Sequence, residues 1–266
     1  KVLGDISSRN LLLNNNQKRF LGKDDWKTEF LLQSYCSKLP LVRWYPVLNE
    51  SGKGGPPPAR EGHISCVLGP ADARMMILTG GFVGDDKIYG LPSHGDCSGW
   101  CSVSPTMGKP TFAYGCTLTP IDDYRAIRYG GFQSGGYRNS TNEIWMLTIR
   151  ISKSSNGSSP PILESAEWKL IPTTCSIQCG ISRAYHTATL LYNRFLLVLG
   201  GMSGTEEGSI FKQQILDTKA WNWISVPGCN GFFPSDRHGH SVVVDDERNR
   251  IVLFGGASGK DILRDG

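Results

Sequence analysis

A short apolar run that ends in two glycines occurs four times in the chain, and it constrains the fold more than any other feature. The four pairs are Gly80-Gly81, Gly130-Gly131, Gly200-Gly201 and Gly255-Gly256. They stand about 50 to 70 residues apart, a spacing typical of propellers and other repeat arrays. Each run is too short for a helix and is rich in β-branched and aromatic residues, so it predicts a buried strand that ends at the glycines.

The surroundings of each glycine pair also recur. Upstream lies a second apolar strand that begins after a basic or aromatic residue, and a turn rich in Asp and Asn joins the two strands. Downstream, the first three units each contain a tryptophan strand, at Trp100, Trp168 and Trp221. Four antiparallel strands per unit predict a propeller blade. The units span about 60–105, 111–173, 182–227 and 236–266.

From about residue 60 to residue 266 this order resembles the kelch repeat. That repeat has a first strand bearing His or Arg, a double glycine that ends the second strand, an aromatic third strand and a Trp in the fourth. The resemblance implies an all-β, kelch-type β-propeller, incomplete and with about four blades begun, whose double glycines pack blade against blade. Two departures stand out: the first unit has only Lys87–Tyr89 for its third strand, and Tyr114 stands where the other units have histidine.

Residues 1–40 contain few glycines and predict a short helical segment. Trp26, Phe30 and Leu31 fall at helical spacing behind Asp24, which is a suitable N-cap. The phrase Asp24-Asp25-Trp26-Lys27 resembles the end of an F-box, and this implies a Skp-type adaptor and a cullin as partners. The alternative is a helical leader packed on the side of the propeller. Residues 41–59 then contain a candidate closing strand at Trp44–Leu48 and a Gly/Pro linker.

Charge and cysteine content narrow the function classes. The net charge is only +4 and no block of like charge occurs, so neither nucleic acid nor a membrane is expected as a partner. The eight cysteines are scattered over the units, which favours reduced structural or surface thiols. A local disulfide or a metal site within the pairs Cys97/Cys101 and Cys175/Cys179 is the alternative. Reduced thiols predict a cytoplasmic and/or nuclear location.

Motifs of catalysis are missing from the sequence: it has no Gly-x-Ser-x-Gly, no phosphate-binding glycine loop and no His-Glu-x-x-His. We therefore predict no catalytic residue, no cofactor and no metal, and expect a non-catalytic binding subunit. Arg60, Arg183 and Arg237 occupy equivalent positions, and with Tyr114 and Tyr185 they are the candidate partner-binding residues. Converging arginines suit an acidic segment of a partner, and the alternative is that they pair within their own blades.

The resemblance then favours one function over another. We expect a protein-binding kelch propeller that holds a protein target on one face, as the substrate-recognition part of an F-box/kelch subunit of a cullin-type ubiquitin ligase. The alternative is a kelch scaffold or adaptor with no role in ubiquitination. Fold alone does not decide between the two.

Overall fold

A computed structural model describes residues 55–82, 85–93, 99–133, 139–152, 160–175, 180–204, 208–210, 212–224 and 234–264. All of them belong to one compact unit, Val47–Gly266. The predicted helical segment 1–40, its resemblance to an F-box and the candidate closing strand Trp44–Leu48 lie outside the described residues. Within the described ranges no helix is long and apolar enough to cross a membrane.

The first unit is a four-stranded antiparallel sheet. Its strands are Ile64–Leu68 (β1), Met75–Thr79 (β2), Ile88–Pro92 (β3) and Cys101–Val103 (β4), and they pair in sequence order. The short apolar run before the first double glycine is thus β2, as its composition predicts. It pairs with β1 so that Ile64 lies opposite Thr79. Met75 and Ile77 alternate with a less buried residue along β2 and are fully buried, as expected for a strand with one core face.

The second unit has the same order with longer outer strands. Its strands are Ala113–Tyr114 (β5), Thr117–Pro120 (β6), Arg125–Tyr129 (β7), Phe132–Gln133 (β8), Ile144–Ser152 (β9) and Ile162–Leu170 (β10). The blade itself is β6-β7-β9-β10, while β5 and β8 form a small separate ladder. A bulge between Leu163 and Ser165 shifts the register of β10 against β9.

The third unit adds a fifth strand. Its strands are Thr174–Cys175 (β11), Thr187–Leu191 (β12), Phe195–Leu199 (β13), Met202–Ser203 (β14), Gly208–Ser209 (β15), Gln214–Asp217 (β16) and Asn222–Ile224 (β17). The blade is β12-β13-β16-β17, and β11 joins its outer edge parallel to β17. Cys175 in β11 is disulfide-bonded, so the prediction of reduced cysteines is wrong at this residue.

The fourth unit contributes two hairpins. Ser241–Asp245 (β18) pairs with Arg250–Phe254 (β19), and Ala257–Ser258 (β20) pairs with Asp261–Ile262 (β21). The turn between β18 and β19 is a single-turn 3-10 helix at Asp246–Arg248. The Asp245 carboxylate accepts a hydrogen bond from the Arg248 backbone N–H at 3.3 Å, which caps this turn.

Consecutive units stack through their first long strands, because β1, β6, β12 and β18 are neighbours in that order. Two apolar cores lie between the blades. One lies between the first and second blades and includes Met75, Leu147 and Trp168, and the other lies between the second and third blades and includes Tyr129 and Leu196. Each fully buried aliphatic side chain stabilises such a core by about 1.5–3 kcal/mol. Blades that stack face to face in this manner form a propeller, as the sequence predicts.

The tryptophan of the third unit requires a correction. Trp223 in β17 is the buried one, with 2% of its surface exposed, and it belongs to the core between the second and third blades. Trp221, which the repeat pattern indicates, lies in the turn before β17 at φ +55 and packs only against the margin of that core. The pattern missed this because both residues lie within one short tryptophan-rich segment.

Candidate functional site

Each of the three repeat arginines makes the same kind of hydrogen bond. In the first, third and fourth units, the guanidinium Nη1 donates to the carbonyl of the first glycine of that unit's pair. The donor–acceptor pairs are Arg60 to Gly80 at 2.9 Å, Arg183 to Gly200 at 2.7 Å and Arg237 to Gly255 at 3.1 Å. The positive-φ glycine turns that carbonyl away from its own strand ladder, and the arginine satisfies it.

Burial places these arginines inside the blades. Arg183 and Arg237 have 0% of their surface exposed, and the Arg60 side chain has 3%. Arg183 also donates to the Lys212 carbonyl at 2.8 Å and to the Gln214 side-chain oxygen at 2.8 Å. The expectation that the three arginines converge on an open mouth is therefore corrected, and the geometry corresponds to the alternative in which they pair within their blades.

Arg60 is neutralised by its own unit. Its Nη2 donates to Asp85 Oδ1 at 3.1 Å, and the Tyr89 hydroxyl donates to Asp85 Oδ2 at 2.6 Å. Burial raises the pKa of Asp85, but the hydrogen bonds from Tyr89 and Arg60 outweigh it, so the pKa lies below its ordinary value. Burial and the Asp85 contact raise the pKa of Tyr89 to about 12. This trio therefore holds a single ion pair with no charge left over for a ligand.

The repeat histidines join neighbouring blades. Thr117 Oγ1 and His186 Nε2 share a hydrogen bond at 3.1 Å, and Thr187 Oγ1 and His240 Nε2 share one at 3.0 Å. Burial, with the nearby Arg183 charge, holds the pKa of His186 well below its ordinary value. Both residues are thus neutral structural groups of the interblade contact.

The structure also corrects the alignment of the second unit. The residue after each glycine pair forms an antiparallel bridge, and the bridged partners are Glu61, Tyr114, Ala184 and His238. Tyr114 is thus equivalent to Glu61, and Cys116 takes the position of the histidine. The position of the arginine is taken by Ala113. The sequence pattern placed Tyr114 two residues out of register because the second unit has neither of the two landmark residues.

Tyr114 and Tyr185 do come together, in a cluster of five aromatic side chains. The aromatic cluster consists of Phe82, Phe112, Tyr114, Phe132 and Tyr185. The ring centroids of Tyr114 and Tyr185 are 6.4 Å apart, and that of Phe132 lies within 6.0 Å of both. Phe132 is buried, whereas Phe82 is 50% exposed and Phe112 is 38% exposed. The cluster therefore spans three blades and shows part of its apolar surface to solvent.

Tyr185 holds a backbone conformation that favours glycine. Its φ is +54°, and the equivalent residues of the other units are Gly62, Gly115 and Gly239, at φ +63, +68 and +65. The Tyr185 N–H donates to the Gly115 carbonyl at 2.7 Å, and the Gly239 N–H donates to the Tyr185 carbonyl at 2.9 Å. These bonds link successive blades and fix the backbone here. The left-handed conformation costs a non-glycine residue about 1–2 kcal/mol.

Three members of the aromatic cluster were not among the predicted candidates. Phe82 and Phe132 directly follow the first and second glycine pairs, where the third and fourth units have Met202 and Ala257. This repetition of phenylalanine after the first two glycine pairs was the available signal. Within the described residues no group of three His, Cys, Asp or Glu side chains is arranged to hold a metal ion.

Comparison with known proteins identifies the family. A model of the KLHDC2/KLHL20/DRC7 kelch-repeats domain matches residues 22–256, which is most of the chain. The chain belongs to this kelch-repeat family. Kelch-repeat domains are in general non-catalytic binding modules, and the family match implies a protein-binding propeller. No curated protein sequence matches it.

Solved structures bear on the fold of the kelch chain. One match is a chain of a structure described as "Cryo-EM structure of RAG in complex with one melted RSS and one unmelted RSS", with a TM-score of 0.50 and 11% sequence identity. The match covers 77% of this chain and 61% of that one, so this chain spans less than two thirds of the length of its structural relative. At this identity the likeness shows the fold alone.

Proposed function

We propose that the chain recognises a protein target through the aromatic cluster, as the binding part of a larger assembly. One observation carries the proposal: Tyr185 occupies a strained backbone position that the three equivalent units fill with glycine. Strain at a position that another residue would relieve points to a role beyond folding. The ring that the strain holds in place is half-buried and lies beside the exposed Phe82 and Phe112.

The chemistry of the cluster indicates what it recognises. Tyrosine and phenylalanine dominate the residues that contribute most to protein interfaces, because they bury a large area with little loss of side-chain freedom. Arg183 and Arg237, by contrast, are buried and donate hydrogen bonds to carbonyl groups of their own blades. An apolar or aromatic segment of a partner therefore fits better than a segment recognised by its acidic charge alone.

Two matched substitutions test the role of the cluster. Tyr192 also lies at positive φ, +51, but it is 77% exposed and outside the aromatic cluster, so Tyr192→Gly is the control for Tyr185→Gly. We expect the unfolding free energy to change by less than about 1 kcal/mol for Tyr185→Gly, because relief of strain offsets lost ring contacts. Proteins that co-purify with the wild type and with Tyr192→Gly should be lost from Tyr185→Gly in quantitative mass spectrometry. An unchanged set of co-purified proteins would refute the proposal.

The assembly that the propeller serves has two candidates. A substrate receptor of a cullin-type ubiquitin ligase is supported by the resemblance of Asp24–Lys27 to the end of an F-box. A scaffold without a ubiquitin role is favoured by the family match, because it begins at residue 22 and so includes the same residues in the kelch domain. Co-purification of the full-length protein with a Skp-type adaptor, lost on deletion of residues 1–35, would establish the receptor. Adaptor binding that survives the deletion, or that never occurs in the full-length protein, would refute the receptor.

The location in the cell follows from the same proposal. A ubiquitin-ligase receptor works in the cytoplasm and/or the nucleus, and we propose that location. The disulfide at Cys175 argues in the other direction, because disulfides persist mainly in oxidising compartments. Fractionation of cells that express the full-length protein, with mass mapping of Cys175 under non-reducing conditions, tests the location and the thiol state together.

A further inference from the structure

A cavity of about 380 Å³ lies between the first and second blades. Its lining includes Ile64 of β1, Ala113 and Cys116 of the second unit and Trp168 of β10. The corresponding space between the second and third blades is filled. A Cβ added at Gly130 would clash with the Arg183 carbonyl oxygen and would lie 2.8 Å from His186 Cε1. A Cβ added at the equivalent Gly80 would have only the Ala113 carbonyl oxygen nearby, at 4.0 Å.

The chain departs from its own repeat at four positions, all of which face this space. Alanine replaces the repeat arginine at Ala113, and cysteine replaces the repeat histidine at Cys116. Ile64 stands where the second and third units have the threonines that bond that histidine, Thr117 and Thr187. The fourth departure is a charge: Arg128 stands two residues before its glycine pair, where the other units have Leu78, Val198 and Leu253.

Arg128 is the group that gives the cavity its chemistry. Only 9% of its surface is exposed, and it lines the cavity. Its Nη2 donates to the Thr111 carbonyl at 2.7 Å, and within the described residues no carboxylate pairs with it. A buried guanidinium has five N–H donors and a full positive charge, and burial without a counter-ion is costly. The other units have leucine or valine at the position of Arg128, so packing of the strand does not require a charged side chain there.

The other charges around the cavity are already paired. Asp85 accepts from Arg60, and Lys109 Nζ lies 3.0 Å from Asp86 Oδ2. Among the residues that the structure describes, the excess charge at the cavity is therefore the single positive charge of Arg128. The remainder of the lining is largely apolar and aromatic, with Ile64, Phe112 and Trp168 as its largest such members.

We propose that this interblade cavity is a binding site for a small organic carboxylate with an apolar or aromatic body, and that Arg128 binds the carboxylate. The volume is within the range of about 300–1,000 Å³ that small-molecule sites occupy. A guanidinium matches a carboxylate through two parallel N–H···O bonds, and the apolar lining accommodates the body of the molecule. The cavity and the aromatic cluster share Phe112, but carboxylate binding by Arg128 does not depend on target recognition by the cluster.

The probe is phenylacetate, with phenylacetamide as its neutral analogue of nearly the same shape. Ligand-observed NMR on the whole chain should show phenylacetate binding at least tenfold tighter than phenylacetamide. Arg128→Leu, which introduces the residue of the first and fourth units, should abolish this preference and raise the melting temperature, because it removes a buried unpaired charge. Arg125→Leu is the control: Arg125 lies on the same strand, is exposed and pairs with Asp122. It should leave the preference unchanged.

A second measurement needs no variant. Cys116 lines the cavity as a free thiol, and Cys101 is a free thiol that does not line it. Phenylacetate at millimolar concentration should slow alkylation of Cys116 by iodoacetamide and leave Cys101 unaffected, as measured by peptide mass mapping. The proposal is overturned if phenylacetate does not protect Cys116, if the amide protects it equally well, or if Arg128→Leu retains the preference for the acid.

A variant that restores the repeat provides the converse test. Ile64→Thr with Cys116→His recreates the threonine–histidine contact that joins the later blades, and the imidazole fills part of the cavity. This double variant should unfold at a higher temperature than the wild type and should bind phenylacetate at least tenfold more weakly. Unchanged phenylacetate affinity would place the ligand elsewhere and overturn the proposal.

Discussion

Alanine in place of Gly200 should destabilise the propeller much more than alanine in place of Gly80, although the two glycines are equivalent in the repeat. Their backbones are nearly identical, with φ +62 at Gly200 and φ +68 at Gly80. A Cβ at Gly200 would lie 2.5 Å from His240 Cε1 and 2.6 Å from the Arg237 carbonyl oxygen, whereas at Gly80 the nearest atom is 4.0 Å away. The two substitutions therefore share the backbone strain and differ only in the contact with the next blade.

The magnitudes follow from these two contributions. Backbone strain costs about 1–2 kcal/mol at either position. Overpacking adds about 1–3 kcal/mol at Gly200 alone, because the Arg237 carbonyl belongs to the backbone and cannot rotate away. We expect Gly80→Ala to lower the unfolding free energy by about 1–2 kcal/mol and Gly200→Ala to lower it by about 2–5 kcal/mol.

Unfolding of the two variants in guanidinium chloride, followed by tryptophan fluorescence, measures both unfolding free energies. If the slope m of free energy against denaturant concentration is unchanged, the difference in midpoint gives the difference in stability. A chain with the cavity described above must show the difference, since the same space that would hold a carboxylate also accommodates the added methyl group at Gly80. Equal destabilisation by the two substitutions would refute both the close blade-to-blade approach at Gly200 and the open space at Gly80.

Three further predictions concern single side chains. Arg183→Ala should lower the unfolding free energy by about 3–5 kcal/mol, because it leaves buried acceptors unpaired. The control, Arg250→Ala on the surface, should change the unfolding free energy by less than about 0.5 kcal/mol. Equal melting temperatures of the two variants would contradict this prediction. Burial lowers the pKa of His240 to about 4 in the folded state. The unfolded chain therefore binds more protons between pH 6.5 and 4, stability should fall as the pH falls through that range, and His240→Gln should flatten the fall in pH-dependent melts. Hydrogen bonds from Arg194 are the main reason that the pKa of Asp217 is lowered. The contribution of Asp217 to the unfolding free energy is therefore present above about pH 4 and is lost as the pH falls below that value. In pH-dependent melts, Asp217→Asn should be less stable at neutral pH and should lack this loss of stability in acid.

The strands could be predicted from the sequence because their determinants are local. The apolar runs before the glycine pairs became β2, β7, β13 and β19, and the polar turns fell where Asp and Asn residues cluster. The four-strand order gave the propeller, which the family match confirms. The register of the second unit could not be found in this way, because Ala113 and Cys116 replaced the two residues by which the other units are aligned.

The candidate site was only half predictable. Tyr114 and Tyr185 were named from their repeat positions, and the structure brings both into one cluster with Phe82 and Phe132. The arginines were named on the same grounds, yet Arg183 is buried. The sequence shows that an arginine recurs, but it does not show whether the guanidinium is exposed to solvent. Arg183 is buried because it donates to the carbonyl groups of Gly200 and Lys212, which become its neighbours only when the blade forms.

The sequence by itself therefore determined the repeat, the apolar strands before the glycine pairs and the turns that precede those strands, since each depends on residues a few positions apart and on the conformations that glycine, asparagine and aspartate permit. The tertiary structure decided which side chains face a partner, a neighbouring blade or a cavity. The space beside Arg128 shows why: its walls come from Ile64, Ala113 and Trp168, which lie in two blades, and no local pattern connects them. Packing between blades selects among side chains that look equivalent in the repeat, because a neighbour's size and charge act only across the interface.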